Sequence, residues 1–275
     1  MPYSMVLRDD LGLGMRDVTA FSVGDIIRTS FAVYFSNLPA FLPLSLIVLS
    51  PAFAVVLLPD SSSLNDPPTM PDPNDVNDPQ TVFDLLGPFY LVLVRESFVG
   101  WLCTFWLEAA FAFGVVRRLR GGDAGFAESF VQFARRVVPA SVVALVVAVV
   151  TGVGFVLFIV PGVVLALILW VAAPTVIVER GSLRALSRSA ELTRGYKGQI
   201  FGLALILGLF QLVALGMTSL VSSSITTNSL LAWTIAEAVW VVLTGIWATA
   251  VAVTYHDLRV LREGVDTRTV SRVFE

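Results

Sequence analysis

The sequence predicts an all-α integral membrane protein with six transmembrane helices, and three observations carry that reading. The stretch Val138–Val178 runs for 41 residues without one charged side chain. As a single helix it would be about 60 Å long, twice the ~30 Å hydrocarbon core of a bilayer, so it must fold back on itself. Secondly, 56% of the chain is hydrophobic and only 14% is charged, whereas a soluble globular protein carries about 25% charged residues. Thirdly, of 18 Lys and Arg residues all but Arg95 fall in the N-terminal segment, the linkers 117–136 and 180–197, or the C-terminal tail. A six-span path puts these four regions on one side, which the positive-inside rule makes the cytoplasm, with both termini there.

The elements follow in order. Residues 1–20 read as a mobile cytoplasmic tail, charged at Arg8, Asp9, Asp10, Arg16 and Asp17 and lacking the apolar core of a cleavable signal. From there a single membrane domain covers residues 21–265. Ser22 and Asp25 form a capping-box pair, and Val23, Ile26, Ile27, Phe31, Tyr34 and Phe35 recur at helical spacing, which predicts an amphipathic helix along the membrane surface. The chain enters the bilayer at Leu38-Pro39 and spans it over about 38–58, since proline is tolerated in the first turn of a helix. Residues 59–80 hold five aspartates, several prolines and no Lys or Arg; they read as an acidic external loop unable to bury enough apolar surface to fold alone. The second span is placed at about 97–117, with Phe83–Val94 either a short outer-surface helix or an extension leaving the membrane, because Gly87-Pro88 and Arg95-Glu96 interrupt the apolar run.

Arg117, Arg118 and Arg120 mark the cytoplasmic exit, after which Phe126, Phe130, Phe133 and Val137 repeat as the apolar side of a second surface helix carrying Arg135 and Arg136. Pro161-Gly162 then divides the uncharged stretch into spans of about 139–158 and 162–178 joined by a tight turn, proline removing a donor and glycine tolerating unusual backbone angles. A third surface helix is capped by Ser182, with Leu183, Leu186 and Ala190 on one face and Arg184, Arg188, Glu191 and Arg194 on others. Spans five and six occupy about 199–221 and 230–254 around a polar turn at 222–228, and the helix continues through Tyr255-His256-Asp257-Leu258-Arg259 towards a cytoplasmic tail at 266–275. Surface helix, outward span and return span thus occur three times, at about 22–118, 124–179 and 182–262, the pattern expected of an internal triplication in which each unit is led by a cytoplasmic amphipathic helix.

Charges at the bilayer centre cost at least ~2.5 kcal/mol and call for partners. At a rise of ~1.5 Å per residue, Glu108 lies about 13 Å from Arg117, and Gln211 and Thr249 are the polar residues nearest its level. They are its expected hydrogen-bond partners. Arg95 and Glu237 share an outer level and are expected to pair between spans two and six. The glycines of span five, Gly202, Gly208 and Gly216, and the Gly245–Thr249 spacing of span six predict close helix packing.

No catalytic constellation emerges. The single cysteine, Cys103, lies in an apolar run and reads as a small buried hydrophobe. The single histidine, His256, stands beside Asp257 near the inner membrane surface, where pairing with Arg259 or headgroup contact is expected. There is no Gly-x-Ser-x-Gly turn, Walker loop, dinucleotide fingerprint or zinc spacing. Neither cofactor nor metal is expected, and the scattered basic residues lack the folded, aromatic-lined patch of a nucleic-acid binder.

Three motifs nevertheless stand out: Val160-Pro161-Gly162, Arg188-Ser189-Ala190-Glu191-Leu192-Thr193-Arg194-Gly195, and Tyr255-His256-Asp257-Leu258-Arg259-Val260-Leu261-Arg262-Glu263-Gly264. Through them the chain, over roughly residues 20–265, resembles the membrane domain attached to some glycerophosphodiester phosphodiesterases, together with its stand-alone six-span prokaryotic relatives of unknown function. The resemblance implies a multi-pass protein of a prokaryotic plasma membrane. It does not imply hydrolysis, because the paired histidines and acidic metal ligands of the hydrolase are not in this chain. The expected function is a non-enzymatic, lipid-associated scaffold or accessory component. Arg184, Arg188, Arg194, Lys197, Arg259 and Arg262 would meet anionic headgroups, each worth about 1 kcal/mol near the surface. A transporter or channel using Glu108 is the alternative, and a membrane-embedded lipid enzyme the third reading.

Overall fold

The structure, a computed structural model, describes residues 18, 20–56, 79–123, 125–179, 181–225 and 229–263. Nearly all of the acidic loop and of the N-terminal tail, the tip of the polar turn and the C-terminal tail lie outside the described residues. The regular structure among them is all helical, without a strand: α1 (Val23–Ser36), α2 (Leu38–Val56), α3 (Pro79–Leu119), α4 (Phe126–Ala134), α5 (Val137–Leu157), α6 (Ile159–Ile168), α7 (Ala172–Val178), α8 (Arg184–Thr193), α9 (Lys197–Ile225) and α10 (Ser229–Glu263). Six stretches are long and apolar enough to cross a membrane, at Leu38–Val55, Val94–Leu119, Val137–Leu157, Ile159–Val178, Lys197–Val221 and Leu231–Glu263. This is a multi-pass membrane protein. In lipid each backbone group must be bonded within its own segment, which is why helices alone carry the chain across.

Helix α1 opens with the Asp25 N–H donating to Ser22 Oγ at 3.4 Å, and a single residue, Asn37, joins it to α2. The Asn37 amide closes α1 on the Val33 carbonyl at 2.8 Å, while its own carbonyl accepts the first amides of α2. Inside α2, Pro51 lacks the N–H that would reach Ile47. The Ser50 hydroxyl donates to that carbonyl instead, at 2.8 Å. Helix α3 runs 41 residues without interruption, so residues 83–94 extend the second span and do not form a separate surface helix. Gly87-Pro88 falls before the apolar stretch that begins at Val94, where a lost backbone bond is less costly than in hydrocarbon.

The α5–α6 hairpin turns at Phe158, in extended conformation (φ −162°, ψ 151°), a few residues ahead of the expected Pro161-Gly162. Pro161 is instead the third residue of α6, where a helix start leaves its amides unbonded and tolerates proline. Gly162 has a different task. A Cβ there would lie 2.5 Å from the Phe155 ring, and one on Gly154 would lie 2.9 Å from the Gly162 Cα, so the two glycines let the hairpin close. Its tip is apolar and open, with Val156 87% exposed.

Helices α3 and α10 form the centre. Residues 248–258 of α10 are buried without exception, the polar Thr249, Thr254, His256 and Asp257 among them. Helix α1 seats its Ile26, Val33 and Tyr34 face in this core, the Tyr34 ring stacking with Phe41 and Phe111, which are themselves 4.5 Å apart. Burial pushes the Tyr34 phenol up to about 12, a nearby Ser45 hydroxyl opposing it in part. Of the predicted packing glycines only Gly245 works this way within the chain: a Cβ there would meet the Tyr34 ring at 2.5 Å, whereas Gly202, Gly208 and Gly216 have nothing within 4 Å. Helix α9 turns that side, with Leu205, Leu209 and Leu212, outward.

Candidate functional site

Two polar assemblies are built from the residues singled out in the sequence and from others that were not. The larger one stands at the basic end of the bundle. Helix α7 ends at Glu179, its C-cap, and this carboxylate accepts from Arg188 Nε of α8 at 2.9 Å on Oε2 and from the Tyr255 hydroxyl of α10 at 2.9 Å on Oε1. Arg188 also meets Glu191 at 3.5 Å and forms an ion pair with Glu263. Glu263 in turn accepts from Arg259 Nε at 2.8 Å, one helical turn away. Burial works against the charge on Arg188, but Glu179 and Glu191 outweigh it and hold the guanidinium above its ordinary value. Arg262 donates to the Arg194 carbonyl and lies with its guanidinium 5.7 Å from the Tyr196 ring centroid. The cluster therefore bolts α7, α8 and α10 together.

Of the six expected headgroup contacts, Arg188 and Arg259 are engaged by carboxylates and Arg262 by a carbonyl; Arg184 and Arg194 have exposed side chains, and Lys197 is half-buried. A cleft of about 350 Å³ lies beside them, lined by Thr175, Glu179, Gly181, Arg184, Ser187 and Glu191 among others. His256 is only 8% exposed and Asp257 is fully buried, with Nδ1 and Oδ1 3.3 Å apart. That places His256 inside the packed part of α10, against Asp257.

The motif around Arg188 also repairs a break in the fourth span. Between α6 and α7 the helix is interrupted at residues 169–171, leaving the Ile168 carbonyl without its helical partner. Ser189 and Thr193 hydroxyls of α8 donate to it at 2.9 and 3.2 Å. The expected cap of α8 itself is different: Leu183 is the N-cap, without a side-chain bond, and Ser182 contributes its backbone carbonyl to Ala185 N–H at 2.9 Å. Removing both hydroxyls with Ser189→Ala and Thr193→Val is expected to cost about 1–2 kcal/mol and to accelerate amide hydrogen exchange across α8. Unchanged exchange there would show that the two hydroxyls do not hold α8 to the break.

The second assembly lies within the spans. Half-buried Glu108 of α3 accepts from Trp247 Nε1 of α10 at 3.1 Å. Neither expected partner does this: the Thr249 hydroxyl donates to the Gly245 carbonyl at 2.8 Å, and Gln211 lines a small void beside Trp247 with Leu207, Phe210, Leu243 and Ile246. The Trp247 ring packs 5.2 Å from Trp170, whose buried Nε1 has no hydrogen-bond partner among the described residues. Tryptophan at the right depth is the signal that finds Glu108 its donor, since its indole N–H can only donate. Arg95 meets its neighbour Glu96, 4.0 Å away, and Glu237 is half-buried. No family model, curated protein or solved structure matches this chain.

Proposed function

We propose that the protein is a non-enzymatic, lipid-associated scaffold or accessory component of a prokaryotic plasma membrane, with both termini in the cytoplasm, and that it belongs to the membrane-domain family it resembles. The observation that carries this reading is the self-neutralising cluster of Glu179, Arg188, Tyr255, Arg259 and Glu263. Its charged groups pair with one another and lock helices together, as structural ion pairs do, even though Glu179, Arg188 and Glu191 also line the neighbouring cleft. The motifs behind the family resemblance contribute Arg188, Ser189, Thr193, Tyr255, Arg259 and Glu263 to these contacts, so packing accounts for them without a reaction.

The triplicated architecture belongs to the same proposal. Its support is the recurrence of a short helix directly before a span: α1 precedes α2 by one residue, α4 precedes α5 by two, and α8 precedes α9 by three. Each short helix buries one side, through Ile26 and Val33, through Phe133, and through Ala185 and Leu192, which favours reading all three as amphipathic cytoplasmic helices.

The test is purification in mild detergent with quantification of retained lipid, followed by reconstitution into liposomes. Anionic lipid retained in preference to zwitterionic lipid, with no solute flux above that of empty vesicles, is the expected result. The transporter reading is favoured by one observation, the intramembrane Glu108 carboxylate. Flux that appears on reconstitution and is lost in Glu108→Gln would establish it in place of the scaffold.

A further inference from the structure

We propose that the cleft between the C-terminal ends of α3 and α7 and the flank of α4 binds one anionic phospholipid, its phosphate held by Arg120 and its chains laid along Phe113, Val116, Ile177 and Val178. The cleft measures about 360 Å³ and is lined by these residues together with Arg117, Gly122 and Gln132, a volume within the range of small-molecule sites, roughly 300–1,000 Å³. Its lining is basic through Arg117 and Arg120 and apolar through Phe113, Val116, Ile177 and Val178. The site rests on the lipid-associated reading above and names a place on the protein where that association occurs.

The charge of its lining sets this cleft apart: it holds Arg117 and Arg120 and no acid, whereas the cleft beside α8 sets Arg184 and Arg188 against Glu179 and Glu191. At the same end of the bundle Arg117 pairs with Glu128, Arg118 lies 3.4 Å from Asp123, Arg188 meets three carboxylates and Arg259 meets Glu263. Arg120 is exposed and has no carboxylate partner among the described residues. With Glu128 matched to Arg117, the mouth keeps one positive charge in excess. Gln132 of α4, half-buried on the facing wall, adds a neutral amide.

The turn after α3 gives the mouth its shape. Gly121 adopts φ +82°, and a Cβ on Gly122 would meet Arg117 Cγ at 2.8 Å and the Arg117 carbonyl at 3.2 Å, so the Gly-Gly pair lets the chain fold back tightly over Arg117. Basic pockets between transmembrane helices on the cytoplasmic side are suited to lipid phosphates. A free phosphate would satisfy Arg120 but leave the apolar wall in water. A phospholipid covers both, which is why it is the occupant assigned.

The experiment titrates the full chain in detergent with phosphatidylglycerol and reads bound lipid by native mass spectrometry, with phosphatidylcholine and glycerol 3-phosphate as comparators. Wild type is expected to prefer phosphatidylglycerol, and Arg120→Gln to weaken its binding about fivefold, the loss of one basic group near the surface. Arg120→Lys should keep most of the affinity, and Val178→Trp, which fills the apolar end, should lower it while glycerol 3-phosphate competes weakly. Arg120 is exposed, so its substitution decides the matter even if Val178→Trp fails to fold. Equal phosphatidylglycerol binding by wild type and Arg120→Gln would overturn the cleft and leave the general lipid reading standing. Strong competition by glycerol 3-phosphate would overturn the lipid as occupant, and no phosphatidylglycerol bound to wild type would overturn cleft and general reading together.

Discussion

Arg188→Leu is expected to destabilise the protein by about 2–3 kcal/mol, seen as a lower midpoint of thermal unfolding in detergent. The reason is what the substitution leaves behind. Arg188 is the cation shared by Glu179, Glu191 and Glu263, and without it three carboxylates converge with Arg259 as the remaining nearby cation. Breaking a fully buried ion pair costs about 3–5 kcal/mol, and an exposed one costs at most about 1 kcal/mol. Side-chain exposures of 27% for Arg188, 23% for Glu179 and 26% for Glu263 put this cluster between those limits. Arg188→Lys should recover part of the loss, because an ammonium keeps the charge but not the planar fork that reaches several acceptors. Adding Glu179→Gln to Arg188→Leu should cost less than Glu179→Gln alone, since the two share one interaction. Additive losses, or a wild-type midpoint for Arg188→Leu, would mean that the cluster does not bolt α7, α8 and α10 together.

Gly245→Val should destabilise by about 3 kcal/mol, at the upper end of what overpacking a core costs. Tyr34 cannot retreat: its ring is fully buried and held between Phe35, Phe41 and Phe111. The new side chain would start 2.5 Å from that ring, so α1 must lift from α10 or one of the aromatic rings must move. Gly208→Val is the control, with open space around it, and should stay near wild type. Tyr34→Leu should relieve much of the Gly245→Val penalty when the two are combined. If Gly208→Val proves as harmful as Gly245→Val, the loss comes from glycine replacement in a helix and not from the Tyr34 contact.

These two expectations differ in how far the sequence anticipates them. The small-residue spacing of α9 and α10 is plain in the chain, yet spacing alone does not distinguish an inward side from an outward one on a helix apolar all round. Gly202, Gly208 and Gly216 show the pattern and have nothing against them. Gly245 has the same chemistry and receives a tyrosine. The Arg188 cluster was legible only as a set of charged residues near one membrane face. The sequence does not show that Glu179, Glu191 and Glu263 arrive beside Arg188 from three segments. The turn at Phe158 was misplaced by a few residues because proline can signal a helix start as well as a stop, and which one applies depends on where the chain reverses.

Composition and hydropathy by themselves determined that the chain is helical and that six of its stretches are dissolved in lipid, since a backbone without water must bond to itself. Helical rise, about 1.5 Å per residue, likewise set the depth of each polar group. Rotation about the helix axes was decided only by tertiary packing. Depth put Gln211, Thr249 and Trp247 within reach of Glu108's level, and side-chain packing chose Trp247. The rotation of a lipid-dissolved helix is settled by what its neighbours offer, and those neighbours come from far along the chain.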